Sequence, residues 1–207
     1  MKVFFHEKLA NFHPWQVALY QRSYNGGYRF FCGGSIIDST TILTAAHCVR
    51  HNSGTTSPSK LRVKIAAHDL RSSGRMVNVV RVTPHEKYRP WTTSDDIALL
   101  KLDKPIQFST WVRPVCLPSR ILARTILDGK TVTVSGWGTT RSQGGLPNKL
   151  NEVDVRVFTN TECRRNYEQL RGDFFGNVPR GQNSFLCAGS RAGGKDSCQV
   201  SNIVGYY

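Results

Sequence analysis

Two short segments of this chain carry an imidazole and a carboxylate, the pair that acid–base chemistry needs: Thr44-Ala45-Ala46-His47-Cys48 and Ser94-Asp95-Asp96-Ile97-Ala98-Leu99-Leu100. A third, Lys195-Asp196-Ser197-Cys198, adds another carboxylate. An imidazole can take a proton from an attacking hydroxyl and return it to a leaving amine, and a buried carboxylate can fix its tautomer and balance its charged form. Each residue alone has a plainer meaning, since an aspartate before an apolar run is by default a strand-edge residue. His51, four residues after His47, suggests a metal pair, but a loop closed by cysteine makes a poor helix and no third ligand is evident. Structural or surface roles are expected for His6, His13, His51, His68 and His85.

The elements that must position these groups read as strands. Short alternating apolar runs at residues 16–20, 29–32, 35–37, 61–66, 77–82, 97–102, 131–135 and 151–158 are separated by Gly, Asn, Ser and Pro, as in a protein of many short strands and turns. One helix is predicted over residues 161–170, with Thr161 as N-cap and Arg164 and Arg165 on its polar face. Polar loops are expected at 51–60 and 141–147. The chain shows no internal repeat.

Further motifs occur in order along nearly the whole chain: Pro14-Trp15-Gln16-Val17, Phe31-Cys32-Gly33-Gly34-Ser35, Arg113-Pro114-Val115-Cys116-Leu117-Pro118, Ser135-Gly136-Trp137-Gly138-Thr139 and Leu186-Cys187-Ala188-Gly189. With the His47 and Asp96 segments, the chain resembles the trypsin-like serine proteases of the chymotrypsin clan. The resemblance implies an all-β fold of two six-stranded antiparallel β-barrels, the second incomplete at its C-terminal end. It places a peptidase domain at 12–199, with an N-terminal barrel over about 12–115, a C-terminal barrel over about 116–199 and a seam near 116–124. It implies that His47 is the general base and that Asp96 orients it, Asp95 being the only rival. Asp196 then stands at the base of the primary specificity pocket, where a negative charge selects Arg or Lys at the cleaved bond. Disulfides Cys32–Cys48 and Cys163–Cys187 are implied in the same way. The family partners of Cys116 and Cys198 are missing, and parity alone does not join those two.

The last residues depart from the family. In its register Val200 stands at an oxyanion-hole glycine, Ser201 at the aspartate before the nucleophile and Asn202 at the nucleophile itself. Asparagine has no hydroxyl to attack with, and a β-branched valine is a poor substitute where the backbone must turn to present its N–H. Met1-Lys2-Val3-Phe4-Phe5-His6 likewise replaces the activating Ile-Val-Gly-Gly terminus. Residues 200–207 are therefore expected to be a non-homologous tail on a truncated, inactive endopeptidase chain. Gln199-Val200-Ser201 can be encoded CAG GTA AGT, the consensus of an exon end and an intron start, which suggests the hypothesis of a translated intron. The competing reading is a non-catalytic protease homologue that acts as a binding or decoy protein, although such a protein has no need to keep His47, Asp96 and Asp196.

Composition sets the outer limits. The 207 residues include 28 Lys and Arg against 14 Asp and Glu, a net charge of +14. That excess allows an anionic polysaccharide or membrane face as partner, yet the cations are scattered in sequence and a solvated basic surface is the expectation. No nucleic-acid-binding module is visible, and no run nears the roughly 18 apolar residues of a membrane span. No cofactor or metal is expected, because Ala66-Ala67-His68-Asp69 lacks the first carboxylate that calcium-binding relatives use. Six cysteines point to an oxidising, extracellular setting, while Val3-Phe4-Phe5 is too short for a signal peptide's apolar core of about 7 to 15 residues. The expected partners are proteins or peptides with Arg or Lys at the cleaved bond.

Overall fold

The computed structural model describes residues 6–7, 13–72, 74–90, 95–119, 127–139, 144–159, 161–163, 165, 186–190 and 204–205. Expectations for Asp196, Cys198 and residues 200–202 fall outside the described residues, as does most of the predicted helix, of which 161–163 and 165 are helical. Strand alternation dominates the rest. In chain order the strands are β1 (His6–Glu7), β2 (Gln16–Arg22), β3 (Tyr28–Asp38), β4 (Thr41–Thr44), β5 (Arg50–His51), β6 (Gly54–Thr55), β7 (Leu61–Ile65), β8 (Arg75–Pro84), β9 (Ala98–Leu102), β10 (Thr131–Gly136), β11 (Asn151–Val157), β12 (Ala188–Gly189) and β13 (Val204–Gly205).

Six of these close a barrel in the order β2-β3-β4-β9-β8-β7, all pairs antiparallel. The period-2 pattern explains the closure: Ala98, Leu100 and Leu102 of β9 point inward while Leu99 and Lys101 face out. Inward residues of all six strands, among them Val17, Leu19, Ile36, Ile42, Val63 and Leu100, form one buried cluster.

Two sequence expectations differ from the fold. The runs at 29–32 and 35–37 are one strand, β3, and the glycines between them are not a break. A Cβ on Gly34 would sit 2.9 Å from Ile42 Cγ2 and 3.0 Å from the Leu43 carbonyl, so glycine is there because β4 passes too close for any side chain. Strand β4 itself, four residues long, gave too short a pattern to read. Residues 51–60, expected as loop, contain the second arm of a two-stranded ribbon, β5–β6.

The second sheet runs β1-β11-β10-β13, with β12 on the other part of β11, and does not close among the described residues. Its buried face is valine: Val132 and Val134 of β10 against Val153, Val155 and Val157 of β11. Strand β13 covers Thr133 and Val134 of β10, so among the described residues much of that strand has a single neighbour. Strand β1, from the amino end, pairs with Asn151 and Glu152 of β11 and thus belongs to this second sheet.

The two sheets are joined through a buried seam. Trp137, fully buried, packs with Ala18, Tyr20, Ala67 and Leu150, its ring edge-on to Phe30 at 5.9 Å. Backbone bonds run alongside, from Leu150 N–H to His68 O and from Leu70 N–H to Asn148 O. Below them His13 Nε2 meets Glu152 Oε2 at 2.7 Å, both side chains almost fully buried, and Ser135 donates to Gln16 Oε1 at 3.0 Å. A buried polar pair of this kind is expensive to break because the survivor stays desolvated.

Glu152→Ala should therefore cost about 3 to 5 kcal/mol in urea unfolding, whereas a loss below about 1 kcal/mol, the size of an exposed pair, would mean that the bond is idle. Native-state hydrogen exchange should be faster in β10 and β11 than in β2, β4 and β9, because an open sheet edge frays before a closed barrel. Equal protection in both sheets would contradict this account of the second lobe.

Candidate active site

His47 and Asp96 lie 49 residues apart and are brought together by one strand pair. Strands β4 and β9 run antiparallel with Thr44 opposite Ala98. His47 follows the end of β4 by three residues and Asp96 precedes β9 by two, so both emerge at the same end of the same ladder. Beyond β4 the chain makes a 3₁₀ turn, Ala46–Cys48. Before β9 it bends sharply: Asp95 takes the left-handed conformation at φ 57°, and Ile97 N–H bonds back to Asp95 O at 2.8 Å. Aspartate tolerates that conformation better than most residues.

The carboxylate is held at several points. Asp96 Oδ2 lies 2.6 Å from His47 Nδ1, and Oδ1 accepts the His47 backbone N–H at 2.8 Å. The N-cap of the 3₁₀ turn is Ala45, whose side chain has no oxygen to offer the exposed N–H groups. Asp96 supplies the cap from the bend before β9. Burial would raise the Asp96 pKa, but hydrogen bonds from the His47 ring and backbone, the charge of His47 and the Ala46 N–H together hold it below the ordinary carboxylate value. Tyr88, buried beside the pair, is pushed up by its own burial and by the Asp96 charge. An isolated tyrosine in Glu86-Lys87-Tyr88-Arg89 gave no signal of this in sequence.

Because an ionised carboxylate only accepts, Nδ1 carries the proton, and in the neutral imidazole Nε2 is left with its lone pair. The His47 side chain is half exposed and Asp96 30% exposed, so the imidazole faces solvent while the carboxylate is sheltered. The arrangement can take a proton at Nε2 and stabilise the resulting imidazolium without moving a heavy atom. Asp95 does not compete, since its carboxylate stands 3.8 Å from His85 on the far side of the bend.

Behind the histidine the chain is covalently fixed. Cys32 of β3 and Cys48 form a disulfide, with Cys48 Sγ 3.6 Å from His47 Nε2. Cys163 and Cys187 form the second. Cys32, His47 and Cys48 are the one potential metal-ligand cluster among the described residues, but both sulfurs are bonded to each other and offer no thiolate. Cys116 is an exposed free thiol.

A closed antiparallel barrel bearing a histidine–aspartate pair at the end of one strand pair, with a disulfide beside it, is matched by a family model described as Trypsin over residues 2–200. The chain belongs to the trypsin family. It is 35% identical over 187 residues to the clotting factor G beta subunit of Tachypleus tridentatus, a match covering 90% of this chain and 59% of that protein. It is 36% identical over 196 residues to the serine protease filzig of Drosophila melanogaster, covering 90% of this chain and 11% of the relative. To trypsin-1 of Salmo salar it is 33% identical over 183 residues, covering 87% of this chain and 66% of the enzyme. The chain thus spans just under two thirds of the trypsin and much less of filzig. No described helix is long and apolar enough to cross a membrane.

The lowered Asp96 pKa sets a pH dependence. Its stabilisation is complete above the unfolded-state value of about 4 and is lost as pH falls through the lower folded-state value. Asp96→Asn should cost about 1 to 3 kcal/mol at neutral pH and flatten the acid limb of urea midpoints measured stepwise below about pH 5. An unchanged acid limb would show that the contact contributes nothing to folding.

Proposed function

We propose that the chain carries the proton-transfer half of a serine endopeptidase, with His47 as general base and Asp96 as the group that orients it. The observation that supports this best is the 2.6 Å contact between His47 Nδ1 and Asp96 Oδ2, with Nε2 left as the base. Family membership makes proteolysis the reaction to which such a pair belongs. The peptidase domain is taken as 12–199, and Asp196 as the charge that selects Arg or Lys at the cleaved bond. Two disulfides favour an extracellular setting for the parent protein.

The finer part of the proposal is that the 207-residue chain does not turn over peptides. Asn202 stands in the register of the nucleophile and Val200 in that of an oxyanion-hole glycine, and the family match ends at residue 200. Loss of the nucleophile alone costs roughly a million-fold in turnover in a serine protease of unrelated fold. Retention of a well-formed His47–Asp96 pair disfavours the decoy reading, since a pure binding protein has no use for it.

The test is a pair of assays on the purified chain. Turnover of an arginine anilide should not exceed that of His47→Ala, and a fluorophosphonate should label no residue. Labelling at Ser201, or turnover that His47→Ala abolishes, would overturn the inactivity. Joining the serine segment and closing strands of a relative after Gln199, and replacing residues 1–6 by that relative's activated Ile-Val-Gly-Gly terminus, should restore cleavage after Arg or Lys, to be lost again in Asp196→Asn. A chimera that folds but cleaves elsewhere would remove Asp196 from its assigned role.

A further inference from the structure

After β9 the chain turns out of the barrel and back between Ile106 and Val112, and both of these residues are buried in the barrel core. The base of the excursion is pinned to its neighbours. Ile106 N–H bonds to Ser39 O at 2.7 Å, Arg113 N–H to Pro14 O at 3.1 Å and Val115 N–H to Ile36 O at 2.9 Å. Its tip is a two-residue turn. Ser109 N–H bonds to Val112 O at 2.9 Å and Val112 N–H to Ser109 O at 3.3 Å, which leaves Thr110 and Trp111 at the corners. Ser109 Oγ accepts the Trp111 backbone N–H at 3.2 Å, and the Arg113 side chain donates from Nε to Ser109 O at 3.3 Å.

Tight turns are ordinarily built from Gly, Pro, Asn, Asp and Ser, so the turn does not explain a tryptophan at its corner. The core does not explain it either: Phe108 and Trp111 are each 49% exposed, although Ile106 and Val112 on either side are buried. Two large aromatic side chains are thus held outward on a braced frame. The charge around them has one sign. Residues 104–127 contain no Asp or Glu and four cations, Lys104, Arg113, Arg120 and Arg124. Of these, Lys104 and Arg113 lie among the described residues and are exposed, and Arg113 reaches the turn itself. Asp103 and Asp38, near the base, are turned to other partners, Asp103 to Asn78 at 2.8 Å and Asp38 to Thr40 at 2.7 Å.

We propose that the Phe108–Trp111 turn seats in the headgroup layer of an anionic lipid bilayer, with Lys104 and Arg113 against the lipid phosphates and carboxylates. An aromatic wedge beside cations supplies the two signals that reversible attachment to a membrane surface needs. Tryptophan is favoured at that depth, where its apolar ring meets acyl chains and its N–H meets water or phosphate. A folded protein would need a preformed pocket for each protruding ring, whereas a bilayer yields to them. Charge disfavours a second copy of this chain as the occupant, because at a net +14 two like faces repel. Attachment by this turn does not depend on peptide turnover, so it stands or falls apart from the endopeptidase reading.

The test is co-sedimentation with vesicles. Phosphatidylcholine containing about 30% phosphatidylserine should bind the chain at least roughly tenfold more tightly than phosphatidylcholine alone, with affinity falling as salt rises from about 0.05 M to about 0.5 M. Phe108→Ser with Trp111→Ser should weaken binding by at least roughly tenfold, and so should Lys104→Gln with Arg113→Gln. Met76→Ser, which removes an exposed apolar side chain elsewhere, should not. Nor should Arg22→Gln with Lys60→Gln, two cations that share a cavity of about 440 Å³ with Arg29 and the bulged Phe31 at the β2–β3 hairpin. Every variant should keep the wild-type circular dichroism and urea midpoint. Depth is read separately: brominated lipid should quench the wild-type tryptophan fluorescence, and Trp111→Phe should bind as before but lose most of that quenching. No binding to the anionic vesicles, equal binding of the aromatic double variant, or unchanged quenching in Trp111→Phe would overturn the proposal. So would an equal loss in the Arg22 and Lys60 variant, or a dimer in sedimentation equilibrium that the aromatic double variant abolishes.

Discussion

Everything at the candidate site depends on the register of β4 against β9. With Thr44 opposite Ala98, the segments that leave the ladder are three and two residues from His47 and Asp96, and the bend at Asp95 turns the carboxylate onto the 3₁₀ turn. A slip of one residue would put Leu100 and Leu102 on the outer face and carry Asp96 away from the imidazole. The register is secured by burial, since Ile42, Ala98 and Leu100 face the core while Leu99 and Lys101 do not. Core packing and site geometry are thus one constraint, and Gly34 belongs to it because only glycine lets β3 lie this close to β4.

The second level of organisation is the seam between the sheets. Trp137 fills it with apolar surface, and the His13–Glu152 and Ser135–Gln16 bonds add direction. Since hydrophobic contact is non-directional, these polar bonds are what fix the angle and register of the two lobes. Among the described residues the lobes are unequal: one is a closed barrel, whereas the second sheet leaves part of β10 with a single neighbour.

Much of this was legible in residue patterns. Alternation located most of the longer strands, and the ordered motifs named the histidine, the aspartate and the cysteine pairs that the structure joins. Where reading failed, the cause was local. Gly33 and Gly34 look like punctuation, and they become a strand interior only once β4 is known to press on them. Strand β4 is too short for its period to stand out. The cations at 22, 29 and 60 look scattered because sequence distance hides a hairpin and a neighbouring strand.

The sequence by itself determined the strand-rich class, the residues able to exchange protons and the absence of a hydroxyl at residue 202, because these follow from side-chain type and short-range periodicity. Only the tertiary structure decided how Asp96 meets the ring and backbone of His47, that the carboxylate also caps the 3₁₀ turn, and that Arg22, Arg29 and Lys60 share a cavity with a bulged phenylalanine. Those facts depend on which strands become neighbours and in what register. Neighbours are chosen by burial across the whole barrel, and no segment carries that information alone.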